Sequence, residues 1–316
     1  MYKQPYEVLI FGGIIIDRYI VVDKYPQPGQ DTFINNEFEK IGGCAINVAY
    51  TLKNLETEPC LVSAIGSDES GDKIRAYLSE KELESPGIKQ LGGQNTGFCL
   101  TVLDSSGERT FFSKRGCDSV FLPEMLNKSQ IGSIKYAYVT GYYLLNDSSR
   151  EDVVQALIQL TKRGCKILFD PGPLVDQINR DTLSFVLTLA TIITPNTDEA
   201  HKIALRLQIK ESFHEWCFGR GIQVVAMKKG GGGTDVFMKN HEVHIPAYHA
   251  EVLDTSGAGD SFAGGVIAGL IHGYNFEESV KIGSACGAIT TTINGPHGDF
   301  SWNQVMDTME KKKVWL

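Results

Sequence analysis

The sequence predicts an α/β protein: a three-layer α/β/α core around a mostly parallel sheet, with a small β-sheet projecting from it. Three observations carry this. From residue 133 onward, short apolar runs alternate regularly with amphipathic stretches of helical period. Such alternation implies a parallel sheet covered on both faces. The strand candidates are near-continuous apolar runs, as in "VLIFGG" and "CKILFDPG", which is how strands buried on both faces read. Finally, two early pairs of β-type segments break the strand–helix rhythm. They are best placed together in one small sheet built from roughly residues 18–41 and 93–116. Residues 1–316 are expected to form a single domain.

Taken in order, "YEVLIFGGIIID" predicts a buried strand, a glycine break and an apolar run ending at Asp17. "RYIVVDKYP" and "DTFINNEFEKIGG" follow as β segments around "PQPGQ". "GGCAINVAYTLKNLE" places Ala45, Val48, Ala49, Leu52 and Leu55 on one helical face. "PCLVSAIG" is a strand and "DESGDKIRAYLSEKEL" a charged helix. "TGFCLTVLD" and "RTFFSKRG" form the second β pair across the turn "SSGE". Next come the strand "IKYAYVTG", a helix closing on Gly164, the strands "CKILFDPG" and "TLATIITPN", and the helix "TDEAHKIALRL". "GIQVVAMKKGGGG" is a strand running into four glycines, and "TDVFMKNHEVHIPA" a hairpin. "DSFAGGVIAGLIHG" and "NFEESVKIGSACGAITTTIN" are helices. "SWNQVMDTMEKKK" closes the chain with Ser301 as cap.

Composition narrows the function. The chain has 316 residues, 42% of them hydrophobic, so it can bury a sizeable core. The net charge of −8 argues against nucleic acid as a partner, because phosphate backbones need a basic face. An anionic ligand would have to be drawn in by local features. The seven cysteines include no C-x-x-C pair, which disfavours structural zinc and disulfides and implies a reducing, cytoplasmic setting. Cys44 and Cys117 have no activating neighbour in the sequence and read as inert thiols. No apolar run reaches membrane length. The histidines are scattered, and "EKKKVWL" reads as a solvated helix end.

The most informative stretch is "VLDTSGAGDSFAGG", residues 252–265. It has neither the Lys-Ser/Thr ending of a P-loop nor the spacing of a dinucleotide fold. Gly257, Ala258 and Gly259 stand at a helix start, where free amides and the helix dipole make an anion hole. Asp260 then lies beside that anion and is suited to accept the proton of an attacking hydroxyl during phosphoryl transfer. The same aspartate also reads as a plain helix cap.

These segments resemble the ribokinase-like (PfkB) carbohydrate kinases. "DTSGAGDSFAGG" is similar to that family's C-terminal signature, and "GGCAINVA" with "IGSDESG" to its N-terminal one. "TPNTDE" matches its N-x-x-E motif, and "MKKGGGG" its nucleotide turn; the elements follow family order over residues 12–298. The resemblance implies a kinase using ATP and Mg²⁺. Asp260 would be the catalytic base, with anion-hole amides from Gly257, Ala258 and Gly259. Asn196 and Glu199 would organise Mg²⁺ and the phosphates through water. Gly230 and Gly233 would lie close to the nucleotide, and Lys228 would lend it a positive charge. Asp17, Gly42, Gly43 and Asn47 would contact the sugar, and Asn294 with Gly295 would flank the adenine. Asp254 would neighbour a monovalent cation such as K⁺. On the residues alone, Asn196 and Glu199 also fit a capping box, Asp17 a turn, and the glycines a flexible hairpin turn.

The sequence departs from the family pattern at Glu56, where members often carry glycine. It also offers no carboxylate in "VTGYYLL", which argues against ribose. The expected acceptor is a small carbohydrate with a primary hydroxyl. A nucleoside would need an aromatic slot, with Phe98, Phe112 and Tyr142 as candidates. A phosphosugar would need a basic clamp, with Lys114 and Arg115 as candidates. The projecting sheet is expected to act as a lid and to leave an apolar face for a homodimer.

Overall fold

The structure is a computed structural model that describes residues 6–105, 109–126 and 133–310. Its first half runs β1 Val8–Phe11, β2 Ile15–Val22, β3 Ile34–Gly42, α1 Cys44–Asn54, β4 Pro59–Gly66, α2 Glu69–Glu80, β5 Gly87–Leu91, β6 Phe98–Leu103, β7 Arg109–Lys114 and β8 Tyr136–Thr140. The second half runs α3 Arg150–Thr161, β9 Lys166–Asp170, α4 Arg180–Leu189, β10 Ala190–Ile193, α5 Thr197–Leu207, α6 Phe213–Gly219, β11 Val224–Lys228, β12 Thr234–Met238, β13 His241–Ile245, α7 Ala258–Ile271, α8 Phe276–Thr291 and α9 Trp302–Glu310.

Nine strands form the main sheet in the order β13-β12-β11-β10-β9-β8-β1-β4-β5. All neighbours are parallel except the β11–β12 and β12–β13 pairs. Burial along β1 shows why its sequence is apolar throughout. Val8 and Ile10 pack with α1, α7 and α8 on one face, while Leu9 and Phe11 pack with α3 and α4 on the other. Successive residues of a strand point to opposite faces, so a central strand needs both sets.

The projecting sheet is present, with order β3-β2-β6-β7. Its two antiparallel pairs, β2–β3 and β6–β7, join through a parallel β2–β6 contact. Phe33, Phe111 and Phe112 are 90%, 55% and 58% exposed on it. The turn expected at "SSGE" lies, apart from Ser105, outside the described residues, as does the chain beyond Glu310. Asp17 is not at the end of a strand, as its sequence position implied, but inside β2, paired with Lys40 of β3 and Cys99 of β6.

Several local details follow from the sequence. Glu56 adopts φ 54, a left-handed conformation that favours glycine. Gly164, beyond α3, has φ 86. Ser301 caps α9 reciprocally with Gln304. Three elements escape the periodicity reading. Strand β5 is a five-residue edge with one buried residue, Gly87. Helix α4, "RDTLSFVLTL", is rich in residues of weak helical propensity; Asn179 starts it by accepting from the Asp181 and Thr182 amides. Helix α6 spans only seven residues. As a result the strand expected over "TLATIITPN" is shorter, with Thr188 and Leu189 ending α4 and β10 beginning at Ala190. Among the described residues, no helix is long and apolar enough to cross a membrane.

The seat of α7 positions the site. Ser261, fully buried, accepts a hydrogen bond from Thr51 of α1 at 3.0 Å and from Thr290 of α8 at 2.7 Å. A Cβ on Gly264 would press on Thr51, and one on Gly265 on Cys286 and Gly283. The small residues after Asp260 therefore let three helices meet closely and fix the first turn of α7.

Candidate active site

Gly257, Ala258 and Gly259, the small residues expected to form an anion hole, lie at the start of α7. Gly257 caps the helix at φ 70, and Ala258 and Gly259 open it. First-turn amides lack acceptors within a helix; here Ala258 N reaches back to Thr255 O in a long 3.4 Å bond. Asp254 is buried and shapes the loop. Its Oδ1 accepts from Ser256 N at 2.7 Å and its Oδ2 from Gly295 N at 3.0 Å.

Asp260 is half-buried in this turn. Its Oδ2 accepts from Asn47 Nδ2 at 2.8 Å, and its Oδ1 from the Tyr138 hydroxyl at 3.4 Å. Burial pushes its pKa up to about 6; Asn47 opposes the shift and the Asp170 charge adds to it. Asp17 rises further, to about 7, through burial first and then the charges of Asp260 and Asp254. A Cβ at Gly42 would collide with the Asp17 carboxylate, and one at Gly43, φ 94, would stand 2.5 Å from Gly13 O. Both glycines are thus required by close approach. The structure therefore brings Asp17, Gly42, Gly43, Asn47 and Asp260 together. The second segment of the N-terminal signature acts as a brace: Asp68 caps α2 and accepts from both Thr96 N and Thr96 Oγ1.

Asn196 and Glu199 do form a capping box at α5. Asn196 Oδ1 accepts from Glu199 N, and the Glu199 carboxylate accepts from Asn196 N and Nδ2, at 2.8, 2.8 and 3.0 Å. Each oxygen of Glu199 thus accepts one hydrogen bond from Asn196. Among the described residues, no three His, Cys, Asp or Glu side chains converge as a metal site. Lys228, at the end of β11, turns toward the anion hole: its Nζ would lie 3.4 Å from a Cβ on Gly259. Gly230 and Gly233 form a separate turn with φ 55 and 88, and a Cβ on Gly233 would collide with Ile245 O. Asn294 is exposed, and its carbonyl accepts from Lys40 of β3.

Sequence reasoning did not single out Asp170, Tyr138, Thr194 or Lys40. For Asp170 a signal existed: it ends the apolar run of β9, at the carboxyl edge where parallel sheets bind ligands. Cys44 fits its reading as an inert thiol. Burial pushes its pKa well up, and the charges of Asp260 and Asp170 push it further. Burial likewise pushes Cys117 up to about 12.

A nine-stranded, mostly parallel sheet with a small appended antiparallel sheet is the architecture of the ribokinase fold. A family model described as pfkB family carbohydrate kinase matches residues 6–302, and the chain belongs to that family. It is a phosphotransferase with an alcohol acceptor, a carbohydrate kinase. The uncharacterized sugar kinase YegV of Escherichia coli (strain K12) is 30% identical over 286 residues, 88% of this chain and 86% of that protein. Among solved structures, a putative ribokinase II from E. coli in complex with ATP and Mg²⁺ matches with TM-score 0.82 at 22% identity, covering 96% of this chain and 99% of that one. The Burkholderia thailandensis nucleoside kinase in complex with inosine also has TM-score 0.82 at 22% identity, covering 96% of each chain.

Proposed function

We propose that this chain transfers the γ-phosphoryl group of MgATP to a hydroxyl, preferably primary, of a small carbohydrate. The observation that carries the reading is the 2.8 Å bond from Asn47 to Asp260. It joins the acceptor motif of α1 to the carboxylate at the anion-hole turn. Asn47 Oδ1 is buried without a hydrogen-bond partner. A buried acceptor left open costs stability unless something donates to it, which suits a substrate hydroxyl.

In this reading Asp17 and Asn47 hold the acceptor, and Asp260 takes its proton as the oxygen attacks. The amides of Gly257, Ala258 and Gly259 stabilise the charge on the transferred group, with Lys228 beside them. Asn196 and Glu199 would meet Mg²⁺ through water, and the metal would supply charge neutralisation to the phosphates. The turn bearing Gly230 and Gly233 and the segment at Asn294 would face the nucleotide. The small sheet would cover the acceptor as a lid.

A panel of sugars, nucleosides and sugar phosphates, read by ADP release, tests the reading. A free sugar is expected to give the highest kcat/KM. Preference for a nucleoside would shift the assignment to the neighbourhood of Tyr142, whose hydroxyl is held in its neutral form first by burial. Preference for a phosphosugar would point to Arg115, which donates to Tyr142 O at 2.9 Å. No ADP release with any acceptor would refute it.

We further propose that the small sheet packs against a second copy of the chain, with the exposed Phe111 of its edge strand β7 in the contact. Sedimentation at micromolar concentration is expected to show a dimer that Phe111→Asp weakens. A wild-type chain that stays monomeric throughout would refute this.

A further inference from the structure

Three adjacent parallel strands, β9, β10 and β11, end side by side beneath the anion hole, and each contributes to one network. Asp170 ends β9, Thr194 follows β10, and Lys228 ends β11. Lys228 Nζ pairs with Asp170 Oδ2 at 3.0 Å across the intervening strand, and Thr194 Oγ1 donates to the same oxygen at 3.1 Å. The pair is largely buried, with side-chain exposures of 17% for Lys228 and 10% for Asp170. Burying two charges is expensive, and such a pair is weak evidence for a purely stabilising role. Its location gives it another.

The Lys228 ammonium faces three carboxylates: Asp170 on β9, Glu199 on α5 and Asp260 on α7. Burial favours its neutral form, but Asp170 and Glu199 outweigh that and hold its pKa above the ordinary lysine value. Of the three, Asp170 is its hydrogen-bonded partner. Asp260 instead has its oxygens turned to Asn47 and Tyr138. Were Lys228 to pair with Asp260, the ammonium would quench a carboxylate that must accept a proton.

Resting on the kinase reading above, we infer that Asp170, braced by Thr194, is a positioning residue: it holds the Lys228 ammonium against the Gly259 turn to meet the transferred phosphoryl group, and keeps it off Asp260. Asp170 touches neither acceptor nor phosphate in this role and acts through Lys228.

A double-mutant cycle tests this with Asp170→Asn and Lys228→Met. Asp170→Asn keeps the shape and an acceptor for Thr194 while removing the charge. It is expected to lower kcat at least about tenfold and to leave KM for the acceptor within about twofold. In the Lys228→Met background it is expected to cost nothing further, because the residue it positions is gone. Losses that simply add, or a kcat restored to wild type by more Mg²⁺, would overturn the inference, the latter by making Asp170 a partner of the metal. If Asp170→Asn fails to fold alone, the double variant, which removes both charges, is compared with Lys228→Met; equal kcat supports the inference and a lower kcat overturns it. Calorimetry separates this from failure of the functional reading, since it needs no turnover. Wild type is expected to prefer a non-hydrolysable ATP analogue over ADP, and Asp170→Asn and Lys228→Met to lose that preference equally. Retention of the preference in Asp170→Asn overturns the inference.

Discussion

Asp260→Asn is expected to lower kcat by about 10²–10⁴-fold, the usual contribution of a positioned general base. Nucleotide affinity should stay close to wild type. The amide keeps the shape of the side chain, so the first turn of α7 and its bonds to α1 and α8 through Ser261 should persist. What disappears is the group able to take the acceptor's proton. Turnover within threefold of wild type would remove Asp260 from the mechanism and transfer the role to Asp17, the other raised carboxyl in the pocket.

The same substitution carries a stability signature with a defined sign. The folded-state pKa of Asp260, about 6, lies above the reference of 3.8. A carboxyl raised on folding binds its proton more tightly in the native state. Its ionised form therefore costs stability above about pH 6, and that cost is relieved as pH falls toward 4. Asp260→Asn should accordingly raise Tm at pH 8, and the gain should vanish near pH 4. Activity runs the other way: wild-type kcat/KM should fall below about pH 6, as the base becomes protonated. A site that trades stability for reactivity is the pattern expected where function sets the environment of a charge. A Tm for Asp260→Asn lower than wild type at pH 8 would contradict this account.

The core was legible because its physics is repetitive. The strand β1 must be apolar at every position, since Val8 and Ile10 serve one layer and Leu9 and Phe11 the other. The start of α7 was legible because Gly257 can take the left-handed conformation that opens the helix. The partner of Asp260 was not, because the bond from Asn47 spans 213 residues of sequence. Register alone placed Asp17 inside β2 beside Lys40, and no local pattern encodes that pairing. The pairing of Asp170 with Lys228 was hidden for the same reason: it joins the ends of two strands that are neighbours only through β10. Conversely, the Asn196–Glu199 capping box was legible from its spacing.

Gly257→Ala should be the most damaging of the conservative changes in the anion loop. The residue sits at φ 70, where an L side chain costs about 1–2 kcal/mol. The added Cβ would also collide with the carbonyl of Pro296. That carbonyl cannot easily retreat, because the preceding amide, Gly295 N, is bound by Asp254, whose other oxygen holds Ser256 N. Relief must come from the loop itself, which would swing the first-turn amides away from the phosphoryl position. Losing one well-aimed donor of this kind costs about 10²–10³ in kcat. We expect a loss of that order together with a lowered Tm. Gly259→Ala is the internal control: its Cβ would meet only Lys228 Nζ at 3.4 Å, an ordinary van der Waals contact. Its effect should be at least about tenfold smaller on kcat. If the two variants were equally impaired, the backbone clash at Pro296 would not be what sets the loop, and the amides of this turn would owe their aim to the Lys228 side of the site instead.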